Sequence, residues 1–376
     1  MNEKQQSQLA LSISADIAKY EPKYQISDDV EKNLDGIERQ RWILENLIVE
    51  RKYIDWLRKR AFIRSGHHTL HIEGNILTED QVADVLENPE VRADNSLHKE
   101  DVRNWNNAMQ FVDSISPTTE VPINDLLIRH IHSLILGPND KIHLPGDYRR
   151  GDAKVRHPLS RKPVYLGPNA GDVSDLMHQF GAWLTNDAPQ IDSVIASAIA
   201  HLRLVEIHPF ADGNGRTARA LTTLMLQRRG YSFNKLLALE RYFDADLLKY
   251  CESISNTVGE RFEDGQDLTQ WLEYFTYALF IEASIVSDDI VDLARYMQEW
   301  HEVLSGKGYI ERHRDILAYA RIRRSIRPRD VMRIGNVSAV TATEDLKRLE
   351  GLKLLESKGK GRARIYRPTE DFWQEL

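Results

Sequence analysis

Apolar residues along this chain recur at three- and four-residue intervals over most of its length, the period of α-helices with one buried face. The densest such stretch is DSVIASAIAHLRLVEI, Asp192 to Ile207, which predicts a buried helix. TARALTTLMLQRRG follows as a second helix, with Arg228 and Arg229 in its last turn and Gly230 as a left-handed stop. Upstream, ERKYIDWLRKRAFIRSGHHTLHIEGN predicts a long helix interrupted at Gly66 and ended by Gly74, and Thr78 opens another with Gln81 closing a capping box. Residues 97–114, 122–136 and 172–185 carry the same period, as do ERYFDADLLKYCESI and one or two long helices from Asp267 to about Leu304. Residues 1 to about 50 predict short helices broken near Glu21-Pro22 and Gly36.

The helical pattern fails in two places. LPGDYRRGDAKVRHPLSRKPVYLGP, Leu144 to Pro168, is rich in proline, glycine and β-branched residues and predicts a β-hairpin, centred on Lys154 to Tyr165. The tail, Arg312 to Leu376, has the order of a winged helix. A helix ends near Ile334, Gly335-Asn336 turns, a second helix spans about Ser338 to Leu349, and a hairpin has its tip at Gly359-Lys360-Gly361.

Charge separates that tail from the rest. The whole chain carries −7, but residues 311–376 hold 16 Lys and Arg against 10 Asp and Glu, a net +6 that leaves −13 on residues 1–310. Lys358, Lys360, Arg362 and Arg364 at the wing tip suit phosphate contacts, so DNA is a candidate partner, with Glu344 and Asp345 in the preceding helix counting against it. The 376 residues, 41% of them apolar, suffice for two or three domains with real cores. A single cysteine, Cys251, excludes an intrachain disulfide and a multi-cysteine zinc site. No apolar run reaches the roughly 18 residues of a membrane span, and MNEKQQSQLALS lacks a signal-peptide pattern, so the expected location is the cytoplasm.

Candidate chemistry concentrates in HPFADGNGRTARA, His208 to Ala220. Gly213 and Gly215 can take positive φ and turn backbone N–H groups inward as an anion nest at the start of the second helix, where the macrodipole also favours negative charge. Asp212 is a hard oxygen ligand suited to Mg²⁺, Asn214 can donate an amide hydrogen to phosphate, and Arg216 and Arg219 share a helical face and can grip outer phosphates. His208, as an imidazole titrating near neutrality, is the candidate general base. These residues together describe a polyphosphate site for phosphoryl or nucleotidyl transfer.

The string resembles the Fic family signature HxFx[DE]GNGRxxR at every defined position: His208, Phe210, Asp212, Gly213, Asn214, Gly215, Arg216 and Arg219. The resemblance implies AMP transfer from ATP to a Ser, Thr or Tyr hydroxyl of a protein, self-modification included. In that reaction His208 acts as base, Asp212 holds Mg²⁺ and the loop and arginines bind ATP. Thr69, Glu73 and Gly74 match the family's inhibitory pattern [ST]xxxE[GN], which implies that Glu73 pairs with Arg219 and restrains the enzyme. The hairpin would be the flap that aligns a target strand, and Tyr242 or Tyr250 could flank adenine. Removal of AMP at the same site, with Glu73 orienting water, is the close alternative. A transcription regulator with a nucleotide-sensing core is the rival from another class, and a family-like homodimer is a further expectation.

The expected fold is mainly α: an N-terminal helical region over 1–110 with the inhibitory motif at 69–74, a Fic core with its flap over 111–260, a helical linker over 261–310 and a winged helix over 311–376. His67, His68 and His71 are not expected to bind metal, since no carboxylate or cysteine completes a ligand set at useful spacing. His130 and His132, two apart on a helix, face different ways.

Overall fold

The computed structural model describes residues 19–46, 48–88, 97–118, 120–140, 142–156, 163–299, 309–359, 361 and 364–369. They fall into two compact units, within Met1–Arg41, Ile63–Phe233 and Leu237–Ala283 for the first, and Trp42–Phe62, Asn234–Leu236 and Ser284–Leu376 for the second. The fold is mainly helical: α1 (Asp28–Asn46), α2 (Arg51–Ile72), α3 (Glu79–Glu87), α4 (Leu97–Ile115), α5 (Asp125–Leu136), α6 (Val173–Asn186), α7 (Ser193–Ile207), α8 (Asn214–Arg228), α9 (Leu239–Ala245), α10 (Leu247–Val258), α11 (Thr269–Glu299), α12 (Glu311–Arg323), α13 (Pro328–Gly335) and α14 (Ala339–Gly351). Two antiparallel pairs complete it, β1 (Lys154–Arg156) with β2 (Pro163–Leu166) and β3 (Leu355–Lys358) with β4 (Ile365–Pro368). No described helix is long and apolar enough to cross a membrane.

In the first unit α7 is the central element. Its apolar residues surround the axis, and Val194, Ile195, Ala198 and Leu202 are buried, as expected of a helix enclosed on all sides. Asp192 caps its start by accepting from the Val194 and Ile195 amides at 2.8 and 3.0 Å. The helix ends at His208, and α8 returns against it from Asn214.

Three sequence expectations change at this level. α1 and α2 run unbroken through Gly36 and Gly66, because each glycine makes room for a packed ring rather than stopping a helix. A Cβ at Gly36 would lie 2.6 Å from Phe280, and one at Gly66 2.5 Å from Trp105. ERYFDADLLKYCESI folds as two helices, since Asp246 leaves the helical region and its side chain caps α10 through the Lys249 amide. The residues between β1 and β2, 157–162, which hold the expected flap tip, lie outside the described residues, as does the N-terminal stretch 1–18.

The stop at Gly74 is as expected, and its geometry is a Schellman motif: Asn75 N–H donates to Leu70 O at 3.0 Å and Gly74 N–H to His71 O at 2.9 Å, with Gly74 at φ +93°. The capping box of Thr78 and Gln81 is also present.

In the second unit α12 is the buried helix, with Ile316, Leu317, Ala318 and Ala320 fully enclosed. α13 and α14 meet at Asn336, which is left-handed at φ 49°, and Ser338 caps α14 through the Thr341 amide. The β3–β4 hairpin runs in continuous register, and Ile326 adds a bridge to Tyr366. Lys360 and Arg362 of the expected wing tip lie outside the described residues.

Replacing Gly66 by Val forces a side chain into Trp105, which is almost fully buried. Urea unfolding should show a loss of about 1–3 kcal/mol with an unchanged m-value. An unchanged midpoint would mean that the ring moves aside freely.

Candidate functional site

The site is the joint between α7 and α8, residues 208–213, and three side chains, Arg149, Asn214 and His132, set its shape. His208 takes a left-handed conformation at φ 51°, ψ 56° as the cap of α7, a strained position for a residue with a Cβ. Arg149 holds it there: its Nε donates to His208 O at 2.8 Å, its backbone N–H to Pro209 O at 2.9 Å, and its other nitrogens to Gly151 O and Pro168 O at 2.7 and 2.6 Å. Asn214 closes the loop from the far side, accepting from Phe210 N–H and donating to Phe210 O, both at 2.9 Å. His132 lies beneath, stacked on Phe210 at 3.7 Å between centroids.

His132 ties the loop through both ring nitrogens. Its Nδ1 accepts from Gly146 N–H and its Nε2–H donates to Asp212 O, each at 3.0 Å. That pattern fixes the neutral tautomer. Burial lowers its pKa to about 4. On His208 the Nδ1 lies 3.2 Å from Val205 O, an acceptor only, so Nδ1 carries the hydrogen and Nε2 keeps its lone pair. Burial also lowers the His208 pKa, which favours the neutral ring that a general base requires.

The anion cradle differs from its sequence reading at Gly215. Gly213 is left-handed, at φ +75°, and opens α8, but Gly215 is helical and not among the residues with positive φ. Its missing side chain serves close approach: a Cβ there would lie 2.4 Å from Glu73 Oε1. Asn214 likewise has both ends of its amide committed to Phe210, leaving one N–H for a ligand.

Asp212 is half-exposed and accepts from Arg216 at 2.8 Å. Arg216 is buried, lies 3.9 Å from Asp101, and keeps a buried Nε with no hydrogen-bond acceptor.

Arg219 is buried and meets α2. Its NH2 donates to Glu73 Oε1 at 2.6 Å and to Thr69 O at 3.0 Å, and its Nε to Thr69 Oγ1 at 2.7 Å. Burial alone would lower the Arg219 pKa, and Glu73 reverses the direction and raises it. The Schellman turn presents Glu73 at the end of α2, within reach of α8.

Glu73, His208 and Arg219 line one cavity of about 450 Å³, with β1 and β2 contributing Val155 and Tyr165 and α10 contributing Tyr250. Tyr165 is anchored by donating to Glu206 O at 2.7 Å. Of the two tyrosines considered for a base contact, Tyr250 faces this cavity. Tyr242 packs with Tyr274 and Tyr277 instead. His68 and His71 both bond through Nδ1 to Asp244 at 2.7 Å, a partner more than 170 residues away that spacing did not reveal. Among the described residues no group of three or more His, Cys, Asp or Glu is arranged to hold a metal ion.

Arg149 and His132 are the positioning residues that sequence patterns did not supply. Their work is done through backbone groups remote in sequence, so no local signal marks Arg149. His132 showed only as one of a histidine pair.

Residues 122–226 match the Fic/DOC family model. The chain is similar to the protein adenylyltransferase Fic of Drosophila ananassae, 31% identical over 208 residues that cover 54% of this chain and 39% of that protein. Against the protein of the same name in Drosophila melanogaster it is 30% identical over 204 residues, with the same shares covered. The chain thus spans about two fifths of the length of these curated relatives. A Fic family protein from Desulfovibrio desulfuricans G20 shares the fold at TM-score 0.60 and 21% identity, over 93% of this chain and 99% of that one. Fic-1 (residues 134–508) from C. elegans aligns at TM-score 0.56 and 25% identity, over 69% and 72% of the two chains.

His132 gives a pH signature. Its folded pKa lies below the unfolded value of about 6.5, so the unfolded chain binds the proton first. The stability owed to the neutral ring is complete above that value and is lost as pH falls toward 4. Between pH 7 and 4.5 this contribution should be roughly 2 kcal/mol, and His132→Asn should flatten the pH dependence of unfolding by that amount. An unaltered slope would contradict the neutral assignment.

Proposed function

We propose that this chain transfers AMP from ATP to a protein hydroxyl, with itself among the acceptors, and that Glu73 restrains the reaction. The observation that carries the reading is the meeting, in one cavity, of a neutral histidine with a free Nε2 lone pair, a buried arginine and the start of α8. The buried, unpartnered Nε of Arg216 beside it supports an anionic ligand. The Fic/DOC match over residues 122–226 agrees with this chemistry.

In the proposed reaction the target hydroxyl loses its proton to His208 Nε2 as its oxygen attacks the α-phosphorus. The new P–O bond forms while the bond from that phosphorus to the α,β-bridging oxygen breaks, and pyrophosphate departs. The first amides of α8, at Asn214, Gly215 and Arg216, have no acceptor within the helix and face developing negative charge. Arg216 and Arg219 hold the outer phosphates, and Tyr250 offers a flat wall for the base. Asp212, half-exposed at the head of the helix, fits Mg²⁺, which commonly takes one or two protein carboxylates and completes its shell from phosphate and water. Bound there, the ion would neutralise phosphate charge. β1 and β2 act as the flap that positions the target strand.

Glu73 occupies the Arg219 nitrogen that an outer phosphate needs. ATP bound against that pair lacks its clamp, and its α-phosphate is not aligned for attack. Keeping 99% of molecules in this state takes about 2.7 kcal/mol, within reach of one partly buried carboxylate–guanidinium pair. Removal of AMP is a second reading with its own support, because Glu73 lines the same cavity as His208 and can orient a water there.

Transfer of label from α-labelled ATP tests both. Glu73→Gly should raise self-labelling up to about 100-fold, the ratio that 2.7 kcal/mol represents, and Glu73→Gly with His208→Ala should abolish it. No gain in the single variant would refute the restraint, and labelling that survives the double change would refute the base. If AMP removal is the main activity, the wild-type chain should strip a labelled protein that Glu73→Gly leaves modified.

A further inference from the structure

We propose that the second unit carries a binding face for duplex DNA, formed by α14 and the β3–β4 hairpin in a winged-helix arrangement. The observation behind it is how this unit disposes of its acidic residues. Asp345 faces inward, where Arg312 donates to it at 2.6 and 3.2 Å and His313 Nε2 lies at 3.1 Å. Burial would raise its pKa, and the bonds from Arg312 and His313 hold it below the ordinary carboxylate value. Asp330 is consumed at the start of α13, accepting from the Arg327 amide at 2.9 Å. Glu350 accepts from the Ser357 amide at 3.2 Å. Glu356 is exposed but sits directly across the hairpin from Arg367, which offsets its charge.

Glu344 is then the one carboxylate on the exposed side of α14, and Lys347 and Arg348 stand three and four residues beyond it. Lys353 and Lys358 are exposed on the strand side. Among the described residues Asp330, Asp345 and Glu350 thus serve the fold, while Lys347, Lys353, Lys358 and Arg367 are exposed and leave this face net positive. Asp345, which counted against nucleic acid in the sequence, is an internal acceptor.

The face has the shape as well as the charge. α14 is 13 residues long, about 20 Å at 1.5 Å per residue, and a helix of this diameter enters the major groove. Its N-terminal turn exposes Val340 at 67% and holds Ser338 and Thr341, an apolar contact for a thymine methyl beside hydroxyls that read base edges. In such docking Lys347 and Lys358, both exposed, would meet the backbone phosphates that flank the groove.

Fluorescence anisotropy of the full chain with a labelled random-sequence duplex tests this, from about 50 to 200 mM salt. Binding should weaken steeply with salt, with a log–log slope near −0.9 per phosphate contacted. Lys347→Glu with Lys358→Glu should weaken it at least tenfold, and Glu344→Lys should tighten it several-fold, while self-labelling by ATP stays unchanged in both. The opposite directions of the two changes guard against a misfolded variant. No binding at 50 mM salt, or binding indifferent to these charges, overturns the proposal, and in the first case an acidic protein is the fitting partner for the face.

Discussion

A guanidinium removed from water must find acceptors, and Arg219 finds them on α2, some 150 residues away in sequence. Thr69 supplies a hydroxyl and a carbonyl, and Glu73 supplies the carboxylate. Much of the surrounding structure follows from bringing those groups together. α2 must stop just beyond Glu73, which Gly74 arranges in its left-handed turn. α8 must be bare at Gly215 for the carboxylate to approach. The helix must seat closely on α4, which Gly66 permits beneath Trp105. In the proposed reaction that same nitrogen would hold an outer phosphate, so stability and the proposed restraint would share one interaction.

The loop between α7 and α8 rests on a different principle, the satisfaction of backbone groups in a turn that has no regular partners. Arg149 takes carbonyls from three segments, Asn214 bridges Phe210, and His132 joins the Asp212 carbonyl to the Gly146 amide. Each is buried, and each pins a backbone atom beside a reactive side chain. His208 can therefore keep a strained conformation and one tautomer, which is what the proposed role as base would require.

The helices and the position of the loop between α7 and α8 were legible because both are local: a 3.6-residue period marks the first, and thirteen consecutive residues mark the second. The contact of Glu73 with Arg219 was legible only through resemblance, since a carboxylate before a glycine has no distinguishing local signal. Gly36 and Gly66 were misread because glycine breaks exposed helices but makes room in packed ones. Gly215 was misread for a related reason, as its freedom is spatial and not conformational. Arg149 and the anchoring role of His132 were invisible because their partners are backbone atoms far along the chain. Asp345 looked like a surface charge, and only tertiary structure turns it inward toward Arg312 and His313.

The central claim is that Glu73 and an outer phosphate compete for Arg219. Calorimetric titration of ATP and of AMP into the wild-type chain and into Glu73→Gly addresses it without reliance on turnover or on an unknown target. Competition predicts that the substitution tightens ATP by about tenfold or more, a gain of at least 1.4 kcal/mol, while AMP, which has no outer phosphates, changes little. Equal gains for both nucleotides, or none for ATP, would contradict it and leave the Glu73–Arg219 pair a structural contact only.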